Sequence, residues 1–140
     1  MLGVSGPGGG NPARQVVLVD GSNLVRHEFE NGVESGLEQR HERRFLLGLC
    51  GSNQRRGGTI VFFDGPARHA GLARPKDVEL DFSQTEKADD RIISRLRLLR
   101  LSEPGARVSV VTYDRGLAAR AKEEGGAVEF PSALLRRLGL

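Results

Sequence analysis

The chain has one cysteine, Cys50, and three scattered histidines, His27, His41 and His69. A single thiol cannot close an internal disulfide or build a thiolate cluster, and the histidines show no metal-ligand spacing, so no zinc centre is expected. Beside Leu47 and Leu49, Cys50 reads as a small core residue, which fits a reducing cytoplasm. No apolar run approaches the roughly 18 residues that span a membrane. The first residues, "MLGVSGPGGGNPAR", lack a basic stretch leading into an apolar one, so no secretion leader is expected and a cytoplasmic location is. Their glycines and prolines cannot build a core, so residues 1–14 are read as a flexible tail and 15–140 as one domain. Gly6 to Gly10 precede the first strand instead of following one, which sets them apart from a phosphate-binding loop. There is no Walker loop and no internal repeat.

What is present is charge. Lys and Arg number 21 against 18 Asp and Glu, a net charge of +3, which permits an anionic partner without demanding one. Distribution says more than the total. Arg55 and Arg56 stand before the second strand, Arg68, Arg74 and Lys76 follow it, and Arg91, Arg95, Arg97 and Arg100 decorate one helical stretch. The first five are candidates for contacts to the phosphates of an RNA, which would weaken with salt as counterions are released. The default for any single arginine is a solvated surface.

Val16 to Val19, Thr59 to Phe63 and Arg107 to Thr112 are short runs with apolar residues on both faces, the pattern of strands covered on both sides. "VELDF", Val78 to Phe82, and "AVEF", Ala127 to Phe130, look like edge strands, the second stopped by Pro131. Helical patterns cover Leu37 to Leu49, Glu86 to Leu101, Arg115 to Glu124 and Ser132 to Leu138. Alternation of strand and helix predicts an α/β fold with a five-stranded parallel sheet, and right-handed crossovers give the order 3-2-1-4-5. In such a sheet, ligands bind at the carboxyl ends of the strands beside the switch point, here between strands one and four.

Three strands end in acid. "VVLVDGSN" runs into Asp20, "TIVFFDG" into Asp64, and "VSVVTYD" into Asp114. Asp-Gly is also an ordinary turn dipeptide, and Ser or Asn an ordinary helix cap, so turn chemistry alone accounts equally well for the first of these in isolation. Converging carboxylates repel, so they must take up protons or bind a cation, and an oxygen-only donor set favours Mg²⁺ or Mn²⁺. An ion so held lowers the pKa of an attacking water and grips a phosphate oxygen, which makes phosphodiester hydrolysis the natural chemistry. Ser22, Asn23 and Thr112 are placed to orient that water or phosphate, or simply to cap a turn. A receiver domain would need a phosphorylatable Asp after strand three and a Lys after strand five, which "LDFSQ" and "EFPSA" do not supply. A haloacid-dehalogenase phosphatase would need Asp-x-Asp where Asp20 is followed by Gly21 and Ser22.

Together "VLVDGSNLV", "VFFDG", "LDFSQTEKADDRII" and "VVTYDRGLAARAKEEGGAVEF" resemble the NYN branch of the PIN-like nucleases, and within it the YacP-like group, from Gln15 to Phe130. The resemblance implies a three-layer PIN-like (Rossmann-like) domain and a metal-dependent, endonucleolytic ribonuclease using Mg²⁺ or Mn²⁺. It places the acidic site on Asp20, Asp64, Asp89 and Asp114, with Asn23 as polar partner, and the metal on Asp20, Asp89 and Asp114. YacP-like proteins are in some cases linked to messenger cleavage on the ribosome, so RNA is the implied partner and the ribosome an admissible one. Helical phase separates Asp89 from Asp90: Ile92, Ile93, Leu96 and Leu99 define the buried stripe, and Asp89 falls near its axis. The competing readings are a non-catalytic RNA- or ribosome-binding module and, more distantly, a small-molecule phosphohydrolase.

Overall fold

The computed structural model describes residues 14–29 and 35–140. Its strands are β1 (Gln15–Asp20), β2 (Gly58–Phe63), β3 (Val78–Phe82), β4 (Arg107–Val111) and β5 (Ala127–Glu129). Its helices are α1 (Gly21–Glu28), α2 (Ser35–Gly51), α3 (Ala88–Ser102), α4 (Arg115–Glu123) and α5 (Pro131–Leu138). All strand pairs are parallel, in the order β3-β2-β1-β4-β5, the order expected from the sequence. Residues 1–13 of the expected tail lie outside the described residues. Arg14 is held, its carbonyl accepting the Arg107 amide at 2.8 Å.

Side chains of β1 alternate between two cores because successive residues of a strand point to opposite faces. Val17 and Val19 join Leu24, Phe45, Leu49, Val61, Phe63 and Leu134 under α1, α2 and α5. Val16 and Leu18 join Ile60, Phe62, Ile92, Leu96, Val110 and Leu117 under α3 and α4. Helices on both faces of one sheet make three layers, and a strand buried on both faces reads as a continuous apolar run. The edge strands keep their charges by pairing them. Asp81 of β3 is buried but takes the Arg91 guanidinium at 2.9 Å, and exposed Glu79 takes Arg95 at 2.7 Å.

One helix is added to the pattern read in the sequence, and some element ends shift. Helix α1 follows β1 without a loop; its apolar pair Leu24 and Val25 is too short a signal for helical periodicity. The β2-to-β3 crossover, residues 64–77, has no helix. It is pinned instead by buried Glu42 of α2, which accepts Arg68 Nε at 2.8 Å and Nη2 at 2.9 Å and lies 2.9 Å from His69 Nε2. Strand β4 also stops at Val111, leaving Thr112 just beyond it, and Pro131 starts α5 in the first-turn position that proline favours.

Gly21 is the contact that lets α1 begin at once. A Cβ there would stand 2.7 Å from the Phe63 ring and 2.8 Å from the Phe62 carbonyl oxygen and Val61 Cγ1, all on β2. Glycine at this position is therefore required by close approach and not by a turn. Gly21→Ala should lower stability by about 1–3 kcal/mol through overpacking, outweighing the gain of up to about 1 kcal/mol in helix propensity. The midpoint of urea unfolding reads the difference, and a midpoint equal to or above that of the parent chain would contradict it.

Candidate active site at the carboxyl edge of the sheet

Because the strands are parallel, β1, β2 and β4 bring Asp20, Asp64 and the Thr112–Asp114 turn to one edge of the sheet. Side chains of "DGSN" stitch these ends together. Ser22 Oγ accepts the Asp64 amide at 2.9 Å, fixing the end of β2. Asn23 Oδ1 accepts the Tyr113 amide at 2.9 Å, fixing the turn after β4. Thr112 Oγ1 donates to Asp20 Oδ2 at 2.9 Å and accepts the Asp114 amide at 3.0 Å. Ser22 and Thr112 are both buried, so their hydroxyls act on the carboxylates and their backbone, away from solvent. Asn23 is half-buried, and its Nδ2 has no hydrogen-bond partner among the described residues.

The four acids differ in setting. Asp20 is buried and its carboxyl is pushed up to about 7, first by desolvation and then by Asp89 and Asp64; the Thr112 hydroxyl and the nearby Asn23 amide pull the other way. Asp89 is half-buried at the start of α3 and is also raised, by burial first and then by Asp114 and Asp64, against the pull of Arg120. Asp64 turns Oδ1 to the Ala88 amide at 3.1 Å, anchoring α3, while Arg26 stands 3.6 Å from its other oxygen. Asp114 is exposed and caps α4, accepting the Leu117 amide at 2.9 Å. Asp90, one residue from Asp89, is exposed and pairs with Arg120 at 3.1 Å.

The acids lie within electrostatic reach of one another. Among the described residues, however, no three acidic, histidine or cysteine side chains are grouped so as to hold an ion. Asp64 and Asp114 each commit one oxygen to a helix amide. In chemistry the donor set still fits a hard divalent cation, since it is all oxygen, net negative and self-repelling.

Four of the five basic residues singled out in the sequence stand elsewhere. Arg55, Arg56, Arg74 and Lys76 occupy the loops leading into β2 and β3, at the amino edge opposite the acids. Arg55 closes α2, donating to the Leu49, Cys50 and Ser52 carbonyls at 3.1, 3.0 and 2.6 Å and pairing with Asp77. Arg56 lines a separate cavity of about 510 Å³ with Arg100, Arg107 and Arg137. Arg74 is exposed and reaches the Val78 carbonyl at 3.4 Å. Lys76 is exposed beside Asp77 on a cleft along the start of β2. Arg68 is on the carboxyl side but is engaged by Glu42. The basic and aromatic groups near the acids are different ones: Arg26, Arg115, Arg120, Tyr113 and Phe130. The one sequence signal for them is the proximity of Tyr113 and Arg115 to Asp114.

No protein-family model and no curated protein matches the sequence. Two crystal structures of Rae1 (YacP) from Bacillus subtilis match the fold. One, of a point mutant, aligns with a TM-score of 0.70 over 89% of this chain and 75% of that chain, at 21% identity. The other, also 21% identical, gives 0.65 over 89% and 73%. The domain shares the fold of these YacP structures. At this identity the likeness is one of fold. The YacP-like fold thus agrees with the family that the strand-end acids resemble, while the roles of individual residues rest on the geometry above.

The buried carboxyl makes a testable demand on stability. Asp20 has its pKa raised from 3.8 to about 7 in the folded chain. Between those values the native state holds a proton that the unfolded state has lost, so this group's contribution to stability falls as pH rises through that window. In chelator, Asp20→Asn should be close to neutral near pH 4 and stabilising at pH 8, by up to about 4 kcal/mol. Urea unfolding at the two pH values measures it, and an effect independent of pH would refute it.

Proposed function

We propose that this chain is a metal-dependent ribonuclease that hydrolyses phosphodiester bonds within RNA and leaves 5′-phosphate and 3′-hydroxyl ends. The observation that carries the reading is the convergence of Asp20, Asp64, Asp89 and Asp114 at the carboxyl edge of a YacP-like fold, with Asp20 and Asp89 held above the ordinary carboxylate range. Acids raised by mutual repulsion and burial are unstable as anions until a cation joins them. Mg²⁺ or Mn²⁺, when bound, supplies a water of lowered pKa and neutralises charge on the phosphate.

The chain's own groups do the rest. Asp20, Asp89 and Asp114 hold the ion, and Asp64 fixes the start of α3 and hence Asp89. Thr112 positions the Asp20 carboxylate through its hydroxyl. Asn23, with Nδ2 unengaged among the described residues, orients water or a phosphate oxygen. Ser22 keeps Asp64 in place from below. RNA is the substrate in this reading, the ribosome an admissible site of action, and the cytoplasm the compartment. No helix among the described residues is long and apolar enough to cross a membrane. A second reading, an RNA-binding module without turnover, is favoured by one observation: no three of the acids are grouped for an ion among the described residues.

Incubation of the purified chain with end-labelled RNA separates the two. Cleavage should appear with Mn²⁺ or Mg²⁺, vanish with chelator, and leave 5′-phosphate ends; cutting that survives full metal removal, or cyclic-phosphate ends, would sink the mechanism. Asp89→Asn should reduce the rate by on the order of a hundredfold or more, whereas Asp90→Asn, which loses only an exposed pair with Arg120, should stay within a few-fold. Equal rates at saturating Mn²⁺ and matched stability would remove Asp89 from the site. Since Asp20 must lose its proton to take a cation, Mn²⁺ affinity measured by calorimetry should rise from pH 6 to pH 8, by about tenfold per pH unit below pH 7. A flat profile would take Asp20 out of the ligand set.

A further inference from the structure

Phe130 is a large apolar side chain that water reaches freely, at 62% exposure. It is not loose. Its ring stacks on Tyr113, centroids 5.8 Å apart and planes inclined by 26°, and the Tyr113 ring also meets His27, centroids 5.2 Å apart and tilted by 57°. The Tyr113 hydroxyl donates to Glu28 at 2.7 Å and accepts the Ser132 amide at 3.2 Å, so the stack is clamped between α1 and the start of α5. Beside it runs a groove of about 700 Å³ along α4. Its α4 wall is Arg115, Ala118, Ala119 and Lys122, a spacing of three, four and seven residues that puts all four on one helix face. The alanines keep the floor open, and Arg115 and Lys122 make no ion pair among the described residues. Tyr113 lies between Thr112 and Asp114 in the chain, so one wall of the groove comes from the same turn after β4 that carries Asp114.

We propose that the Tyr113–Phe130 stack and the α4 groove bind unpaired nucleotides of an RNA strand, one base lying on the Phe130 ring and the flanking phosphates on Arg115 and Lys122. This rests on the reading of RNA as substrate and names its class as single-stranded. An exposed aromatic ring offers a π-face that any base accepts, and in a duplex the bases are already stacked and out of reach. Two cations at the ends of one small-residue groove match a polyanion, where an apolar peptide would leave them unused. The site thereby feeds a flexible strand toward Asp114 and Asp89, while a helix of paired RNA has no base to place on the ring.

The test uses the full chain and a short oligoribonucleotide carrying 2-aminopurine in an unpaired stretch, titrated in chelator so that nothing is cut. Binding should quench the fluorophore by stacking. Phe130→Ala should lose the quench and about tenfold in affinity, Phe130→Tyr should keep both, and the same label inside a duplex should bind more weakly without quenching. Arg115→Ala combined with Lys122→Ala should flatten the dependence of log affinity on log salt by about 1.4 while leaving the quench at saturation. Phe130 is exposed, and thermal melts check that each variant is folded before it is titrated. Wild-type affinity and quench in Phe130→Ala would overturn the proposal, as would the absence of RNA binding. So would loss of a dimer in sedimentation on that substitution, which would make the face an interface between copies. Failure of the nuclease reading looks different: quenching intact in chelator with no cutting in Mn²⁺ leaves the binding site standing, and cutting by a Phe130→Ala chain that binds like its parent removes only the binding site.

Discussion

Three strand ends must stop at one height for their acids to meet, and that height is set by three small polar side chains. Ser22 reaches the amide at the end of β2, Asn23 the amide after β4, and Thr112 returns a hydroxyl to Asp20. Parallel ladders bond the strands to one another but leave their last amides unpaired, and buried amides without partners are costly. The "DGSN" junction of β1 and α1 supplies those partners from the central strand to both neighbours. Gly21 completes the arrangement, because the absence of a Cβ lets α1 sit on β2 close enough for Ser22 to reach Asp64.

The same compactness creates the electrostatic tension of the site. Burial and neighbouring acids hold Asp20 near neutrality while the Thr112 hydroxyl and the Asn23 amide favour its charged form. Such a group is poorly suited to stability by itself and well suited to a ligand that brings positive charge. The opposite charge within reach is exposed and screened by solvent: Arg26 stands 3.6 Å from Asp64, and Arg120 pulls on Asp89. Most other arginines do structural work, as Arg55 does at the end of α2, Arg68 with Glu42, and Arg91 with Asp81. The positive net charge therefore says little about where an anion docks.

Strand runs were readable because β1, β2 and β4 are covered on both faces and so carry unbroken apolar sequence. The edge strands were readable from alternation in "VELDF" and from Pro131 after "AVEF". Helix α1 was hidden by its length, and Glu42 was hidden because a glutamate on a helix ordinarily faces water; its burial depends on Arg68 and His69 arriving from a loop 26 and 27 residues later. Arg55, Arg56, Arg74 and Lys76 stand at the opposite edge for a related cause. Their nearness in sequence to a strand says nothing about which end of the strand they occupy until the sheet direction is known.

Period and phase are local properties of a chain, and they were sufficient for the five strands, their order through the handedness of crossovers, the acids at three strand ends and the inward side of α3 that carries Asp89. Charge pairing and close approach are not local. Which hydroxyl meets Asp20, why position 21 must be glycine, which arginines are already engaged, and that Phe130 lies open on Tyr113 beside Arg115 and Lys122 were decided by packing alone, since each depends on groups that only the folded sheet brings within a few ångströms of one another.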